Sequence, residues 1–237
     1  MANAITPNLL VQGNSGTDAT SYTTAATPTL VSGTVVTAWV ATLISAGTPN
    51  TPTCTGTNGL NGTWTAITNV VQDQIKITMF RSTTTSTTAG TLTFNLSGQT
   101  NSAAGWSIVA WDNVATTINA QSTTGVANAG TAPTFSALAA FGAGFNATYV
   151  AMAAAGSFLT TRGNNTQGLM LQIPQASFSN GEISGADFFS PGEVNSPSIG
   201  VSGAGSDIVA IAIEVAHDGT GVSSGGGSDT FLPTFRV

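Results

Sequence analysis

The sequence predicts an all-β protein, a two-sheet antiparallel sandwich, and three observations predict it. Hydrophobic residues are 41% of the 237-residue chain, enough for a sizeable core. Its 28 glycines come with a heavy load of Thr and Ser, which favours strands and turns over helices. Short apolar or alternating runs recur along the chain, separated by Gly, Pro, Asn and Thr clusters, as strands are by their turns. The length fits one large β-domain or two small ones, and one is the simpler expectation.

Residues 1–20 are read as an N-terminal arm or first strand, and 21–216 as the sandwich. Within it, 35–44 is apolar on both alternating faces, with Val35, Trp39, Ala41 and Leu43 on one and Val36, Ala38, Val40 and Ile44 on the other, which predicts a central strand covered on both sides. The Pro, Gly, Thr and Asn of 48–62 predict a long turn or loop, after which Trp64 opens a strand over 63–71. Residues 74–81 alternate, with Ile75, Ile77 and Met79 on one face and Lys76 and Thr78 on the other, the pattern of a half-buried strand. A Thr/Ser loop over 82–88 leads to a second alternating strand, 91–96, and the two predict a hairpin. Segments 105–111 and 207–216 are apolar on both faces and read as interior strands, the second interrupted only by Glu214. Between them, 147–155 reads as a small-residue strand or a short helix, and 169–173 as a shorter strand.

Charge excludes more functions than any motif selects. Charged side chains are 6% of the chain, against about 25% in an ordinary soluble domain. Little material remains for acid–base catalysis or phosphate gripping. Ten acidic residues against four basic ones give a net charge of −6, and Lys76, Arg81, Arg162 and Arg236 form no patch, so nucleic acid is not an expected partner. No apolar run is long enough for a membrane span. A lone Cys54 allows no internal disulfide, and the first ten residues show no signal-peptide pattern, so synthesis and folding in a cytoplasm is expected.

Chemical motifs are sparse. Gly13-Asn14-Ser15-Gly16 and Gly221-Val222-Ser223-Ser224-Gly225 imitate hydrolase loops, but neither has the strand–turn–helix context of a nucleophile elbow, and His217 is the only candidate base. Gly142-Ala143-Gly144-Phe145-Asn146-Ala147 imitates a dinucleotide loop without a βαβ setting. No catalytic residue and no cofactor are expected. One His and one Cys exclude a zinc cluster, while Glu182, Asp187 and Glu193 in a Gly/Ser/Pro-rich loop read as solvated acids or, alternatively, a calcium site. Trp39, Trp106 and Trp111 lie in apolar strands and read as core. Trp64, beside Asn58 and Asn61 in a polar turn, is the candidate exposed platform for stacking on a sugar ring.

After Ala216 the composition changes to a Gly/Ser-rich linker, 217–229, and an apolar tip, 230–237, with Phe231, Leu232, Phe235 and Val237 as candidate assembly contacts. A Gly/Ser linker of about a dozen residues spans roughly 20 Å r.m.s.. The tip can dock on a partner or sister subunit, fold back onto its own domain, or stay disordered.

The order of these features resembles a known family. A Ser/Thr opening at 21–24, the strand from Val35, a Pro/Gly loop, Gly62-Thr63-Trp64-Thr65, a strand ending Met79-Phe80-Arg81, Thr91-Leu92-Thr93-Phe94, Gly105-Trp106-Ser107-Ile108-Val109-Ala110-Trp111 and a closing Ile208-Val209-Ala210-Ile211-Ala212-Ile213-Glu214-Val215 together look like a jelly-roll domain of tailed-bacteriophage virion proteins. The likeness covers 21–216. It implies a non-enzymatic structural subunit of the minor tail, fibre or head-decoration type, made in the host cytoplasm and carried on the virion. Its implied partners are other virion proteins and further copies of itself, with a host glycan as a possible contact.

Overall fold

The segment Val35–Leu43 is apolar on both alternating faces because a sheet lies on either side of it. In the computed structural model, which describes residues 4–128, 131–139, 146–156, 159–160, 163–165, 168–179, 182–192, 194, 197, 201–202 and 207–219, this segment is the middle strand of a five-stranded antiparallel sheet. The first half of the chain runs through β1 (Thr6–Ser15), β2 (Ser21–Thr23), β3 (Val35–Leu43), β4 (Thr53–Gly56), β5 (Thr65–Gln72), β6 (Ile75–Thr83), β7 (Leu92–Asn95) and β8 (Ala103–Asp112). The large sheet has the order β1-β8-β3-β6-β5, and a smaller one the order β2-β7-β4. Successive strands mostly alternate between the two sheets, which is jelly-roll connectivity. Tyr22, Leu92 and Phe94 of the small sheet close over Val36, Val40, Phe80 and Ile108 of the large one.

The second half repeats this plan. It contains β9 (Val114–Ala127), β10 (Thr134–Phe135), β11 (Ala147–Ala155), β12 (Leu159–Thr160), β13 (Gly163–Asn165), β14 (Gly168–Ser179), β15 (Ile183–Ser190), β16 (Val201–Ser202) and β17 (Ile208–His217). Its large sheet includes the order β9-β17-β11-β15-β14, which matches β1-β8-β3-β6-β5 strand for strand, with β10 and β13 added at the ends. Likewise β12 pairs with β16 as β4 pairs with β7.

Registers agree too. Leu43 lies opposite Ile75 as Ala155 lies opposite Ile183, and Trp39 sits between Met79 and Ser107 as Ala151 sits between Asp187 and Ile211. Both first strands carry a one-residue bulge, between Leu9 and Val11 on β1 and between Asn119 and Gln121 on β9, and β9 loses register again between Val114 and Asn119. The outer strands β5 and β14 both lose register beside Phe80 and Phe188, which are equivalent positions.

The two large sheets stack face to face. Across the seam β1 meets β14, β8 meets β15, β3 meets β11, β6 meets β17 and β5 meets β9. One strand order is laid backwards on the other, as an approximate two-fold axis passing between β3 and β11 would do. Stacked sheets usually lie about 10 Å apart, yet Cα atoms of β3 and β11 come within 8 Å. The small seam residues Ala41, Ala147, Ala151 and Ala153 permit that approach. Trp39, Ile75, Ile77, Met79 and Tyr149 fill the remainder and are fully buried, each contributing about 1.5–3 kcal/mol relative to exposure.

Antiparallel β-sandwich architecture is thus present, built twice in one chain. No α-helix occurs among the described residues, and 147–155 is a strand, not a helix. Three expectations change. Strand β6 is buried on both faces, not half-buried, because the small sheet covers the face that carries Lys76 and Thr78. Strands β6 and β7 form no hairpin: β6 pairs with β3 and β5, while β7 crosses to the other sheet and pairs with β2 and β4. The 48–62 stretch is not all loop, since it contains β4 and a 3-10 turn, Asn58–Leu60.

Candidate functional site

The described surface carries no exposed basic side chain. Lys76 is buried, with Nζ donating to Thr51 Oγ1 at 3.1 Å, and Arg81 is half-buried; Arg162 and Arg236 lie outside the described residues. Exposed charges there are acidic: Asp18, Asp73, Asp112, Glu182 and Asp218. The long outer strands of the five-stranded sheet, β1 and β5, contain no charged residue, although a lysine is the usual protection of an open sheet edge. Thr65, Ala66, Asn69 and Val71 of β5 are exposed. What this surface offers a partner is hydroxyls, amides and strand edges that carry no charge.

The candidate platform does not present a free ring. Trp64 is half-buried, packs against the core between the first two sheets, and donates Nε1–H to Leu60 O at 2.9 Å. Asn58 takes a left-handed backbone conformation, φ 51°, which Asn tolerates, and its amide donates to Ala89 O at 3.0 Å. Asn61 is exposed and ends the 3-10 turn, its N–H reaching Asn58 O. These three residues are neighbours, and together they shape the turn. Trp39, Trp106 and Trp111 are core residues, as their strands predicted.

The acidic cluster is not a loop cluster. Glu182 is exposed just before β15, Glu193 lies outside the described residues, and Asp187 is a fully buried strand residue on the seam face of β15. Alternation along β15 explains the placement: Ile183 and Asp187 face the seam, while Ala186 and Phe188 face a second buried cluster with Val150 and Met152. Trp39 Nε1 donates to Asp187 Oδ1 at 2.5 Å, and Tyr149 OH donates to the same oxygen. Trp111 supports Tyr149 edge-on, with ring centroids 5.1 Å apart, and donates its own Nε1–H to Thr37 Oγ1. Burial raises the Asp187 carboxyl to about 6, against hydrogen bonding to Tyr149, Ser107 and Trp39, which favours the charge. The Tyr149 hydroxyl is pushed well above its ordinary value by burial and then by the carboxylate. Sequence reasoning missed this group; its one signal is an acid in strand parity with Ile183.

A second buried carboxylate, Glu214, faces away from the seam. It accepts from Gln121 Nε2 at 2.6 Å and from Asn146 Nδ2, while Asn146 Oδ1 accepts the His217 N–H at 2.9 Å. Gln121 also holds Ala139 through its N–H and C=O. This network ties β9 to β17 and to the 136–139 segment. His217 Nδ1 accepts from Gly219 N–H, so the ring is engaged with the backbone two residues on. A shallow polar hollow is lined by Gly47, Thr48, Asp73, Gln74 and Asp207. Burial and then the Asp73 charge raise the Asp207 carboxyl. Among the described residues no three His, Cys, Asp or Glu side chains group as metal ligands, and no helix is long and apolar enough to cross a membrane. The tip residues Phe231, Leu232, Phe235 and Val237 lie outside the described residues, as does the Gly221–Gly225 motif.

No protein-family model matches the chain, and no curated protein or solved structure matches it either.

Proposed function

We propose that the chain is a bacteriophage virion structural subunit, of the capsid-decoration, head-fibre or minor-tail type, that works by protein–protein contact and not by catalysis. The observation that carries this reading is a described surface without an exposed cation, bounded by long uncharged strand edges. Such a surface has little Coulomb energy for salt to screen, so its contacts hold when a particle passes between media of different ionic strength. Backbone donors and acceptors on β1 and β5 suit pairing with a neighbouring strand. The five-stranded sheet supports the same reading, because it carries β1 and β5 at its two ends and so presents both edges from one element. The order of sequence features along 21–216 supplies the virion context.

Peptide mass spectrometry of gradient-purified particles from an infected host tests the proposal. The chain is expected in the particle fraction at many copies per particle. Its recovery only in the particle-free supernatant would overturn the reading.

A further inference from the structure

We propose that Asn61 is a self-modifying site: its side-chain amide cyclises onto Gly62 and gives way to a carboxylate, while the fold protects Asn58, which begins the same dipeptide three residues earlier. One Asn-Gly pair opens the 3-10 turn Asn58–Leu60 and another follows it; a third, Asn180-Gly181, lies outside the described residues. A glycine after asparagine favours the cyclisation, because no side chain obstructs the attacking nitrogen or the backbone rotation that brings it round. Sequence alone therefore ranks the two pairs equally. Hydrogen bonding separates them.

At the first pair every group that must move is tied. Gly59 N–H, the nucleophile, donates to Thr88 O at 3.0 Å, and the Asn58 side-chain amide donates to Ala89 O at 3.0 Å. The Asn58 carbonyl accepts from Asn61 N–H and from Thr85 Oγ1, which fixes the peptide plane between Asn58 and Gly59. At the second pair the corresponding groups are untied. Among the described residues the Asn61 side-chain amide, the Asn61 carbonyl and the Gly62 N–H make no hydrogen bond, and Asn61 is exposed. Asn61 has ψ 16°, so Gly62 N reaches the side chain only after the peptide plane between them rotates, and no hydrogen bond opposes that rotation. Gly62 is wedged against Ser82 Oγ and Thr83 O, each 2.7 Å from where a Cβ would stand. That packing admits no side chain, so the residue after Asn61 keeps its unhindered N–H.

Water is the only co-reactant. Gly62 N attacks Asn61 Cγ; the new N–C bond replaces the C–N bond to the side-chain nitrogen, which leaves as ammonia with the proton from Gly62. Water then opens the cyclic imide. Cleavage at the side-chain carbonyl gives aspartate, and cleavage at the main-chain carbonyl gives isoaspartate, with an extra methylene in the backbone between the 3-10 turn and Gly62. Either product puts a carboxylate on a stretch, Thr57 to Trp64, that has no charged residue.

Incubating the full chain in mildly alkaline buffer, with and without urea, and mapping its peptides by electron-transfer mass spectrometry tests this. In the folded chain Asn61 is expected to convert at least about tenfold faster than Asn58, because opening the first pair breaks more than one hydrogen bond. In urea the two rates should converge. Equal rates in the folded chain, or an Asn61 that stays intact there, overturn the proposal.

Discussion

Gly13 and Gly125 occupy the same place in the two sandwiches, each on the first strand beneath an aromatic ring. Gly13 pairs with Trp106 on β8, and a Cβ there would stand 3.0 Å from Trp106 Nε1. Gly125 pairs with Ala210 on β17, the residue equivalent to Trp106, and a Cβ there would stand 3.1 Å from Phe135 Cδ1. The ring comes from a different strand in each half, yet both press on bare backbone. Gly13→Val and Gly125→Val are therefore both expected to destabilise, by about 1–3 kcal/mol each, through overpacking. Urea midpoints of the two variants check this. A neutral Gly125→Val beside a costly Gly13→Val would deny the equivalence.

Tyr149 donates to a carboxyl that is ionised at neutral pH and protonated near pH 4. Removing a donor to a charged group costs more than removing one to a neutral group, about 1.5–3 kcal/mol against about 1. Tyr149→Phe should lower stability more at pH 7 than at pH 4. Thermal melts at the two values measure the difference, and equal losses would mean that the hydroxyl does not serve the charge.

Lys76 shows the opposite balance. Burial lowers the pKa of its ammonium, and among the described residues Thr51 Oγ1 is its one hydrogen-bond acceptor and no carboxylate pairs with it. Replacing it by Met keeps the unbranched stem and removes the desolvated charge. Lys76→Met is expected to be neutral or to stabilise by up to about 2 kcal/mol at pH 7. A loss above about 1 kcal/mol would show that the lysine holds β6 in place.

Which strands were legible follows from what covers them. Strands β3, β8 and β17 read correctly because their apolar residues fall on both faces, the mark of an interior strand. Strand β6 misled because Lys76 and Thr78 imitate a solvent face, although the small sheet lies over them. The duplication was illegible because volume has moved across the seam. Trp39 is matched by Ala151, Thr37 by Tyr149, and Met79 by Asp187, while identities such as Gly13/Gly125, Ile75/Ile183 and Phe80/Phe188 lie too far apart to form a motif. Large residues in one half fill space left by small ones in the other, so packing is conserved where sequence is not. Asp187 read as a loop acid because Gly185, Ser184 and Ser190 surround it, and only the fold brings Trp39 and Tyr149 to it.

The apolar tip separates folding from assembly. Ending the chain after Gly219 leaves β17 and the Asn146–His217 contact in place while removing 220–237. The shortened chain is expected to melt at the full-length temperature yet to enter particles poorly, because burying several large apolar side chains contributes about 1.5–3 kcal/mol each before ordering costs. Undiminished incorporation would exclude the tip as an anchor.

Sedimentation velocity of the purified full chain at about 0.01 M and about 1 M salt, between which the Debye length falls from about 30 Å to about 3 Å, tests most directly whether contact through an uncharged surface is what this molecule does. An assembly of several 23.6 kDa chains with the same sedimentation coefficient at both salts is the predicted result. A 23.6 kDa monomer at both, or an assembly that dissolves as salt rises, would contradict it.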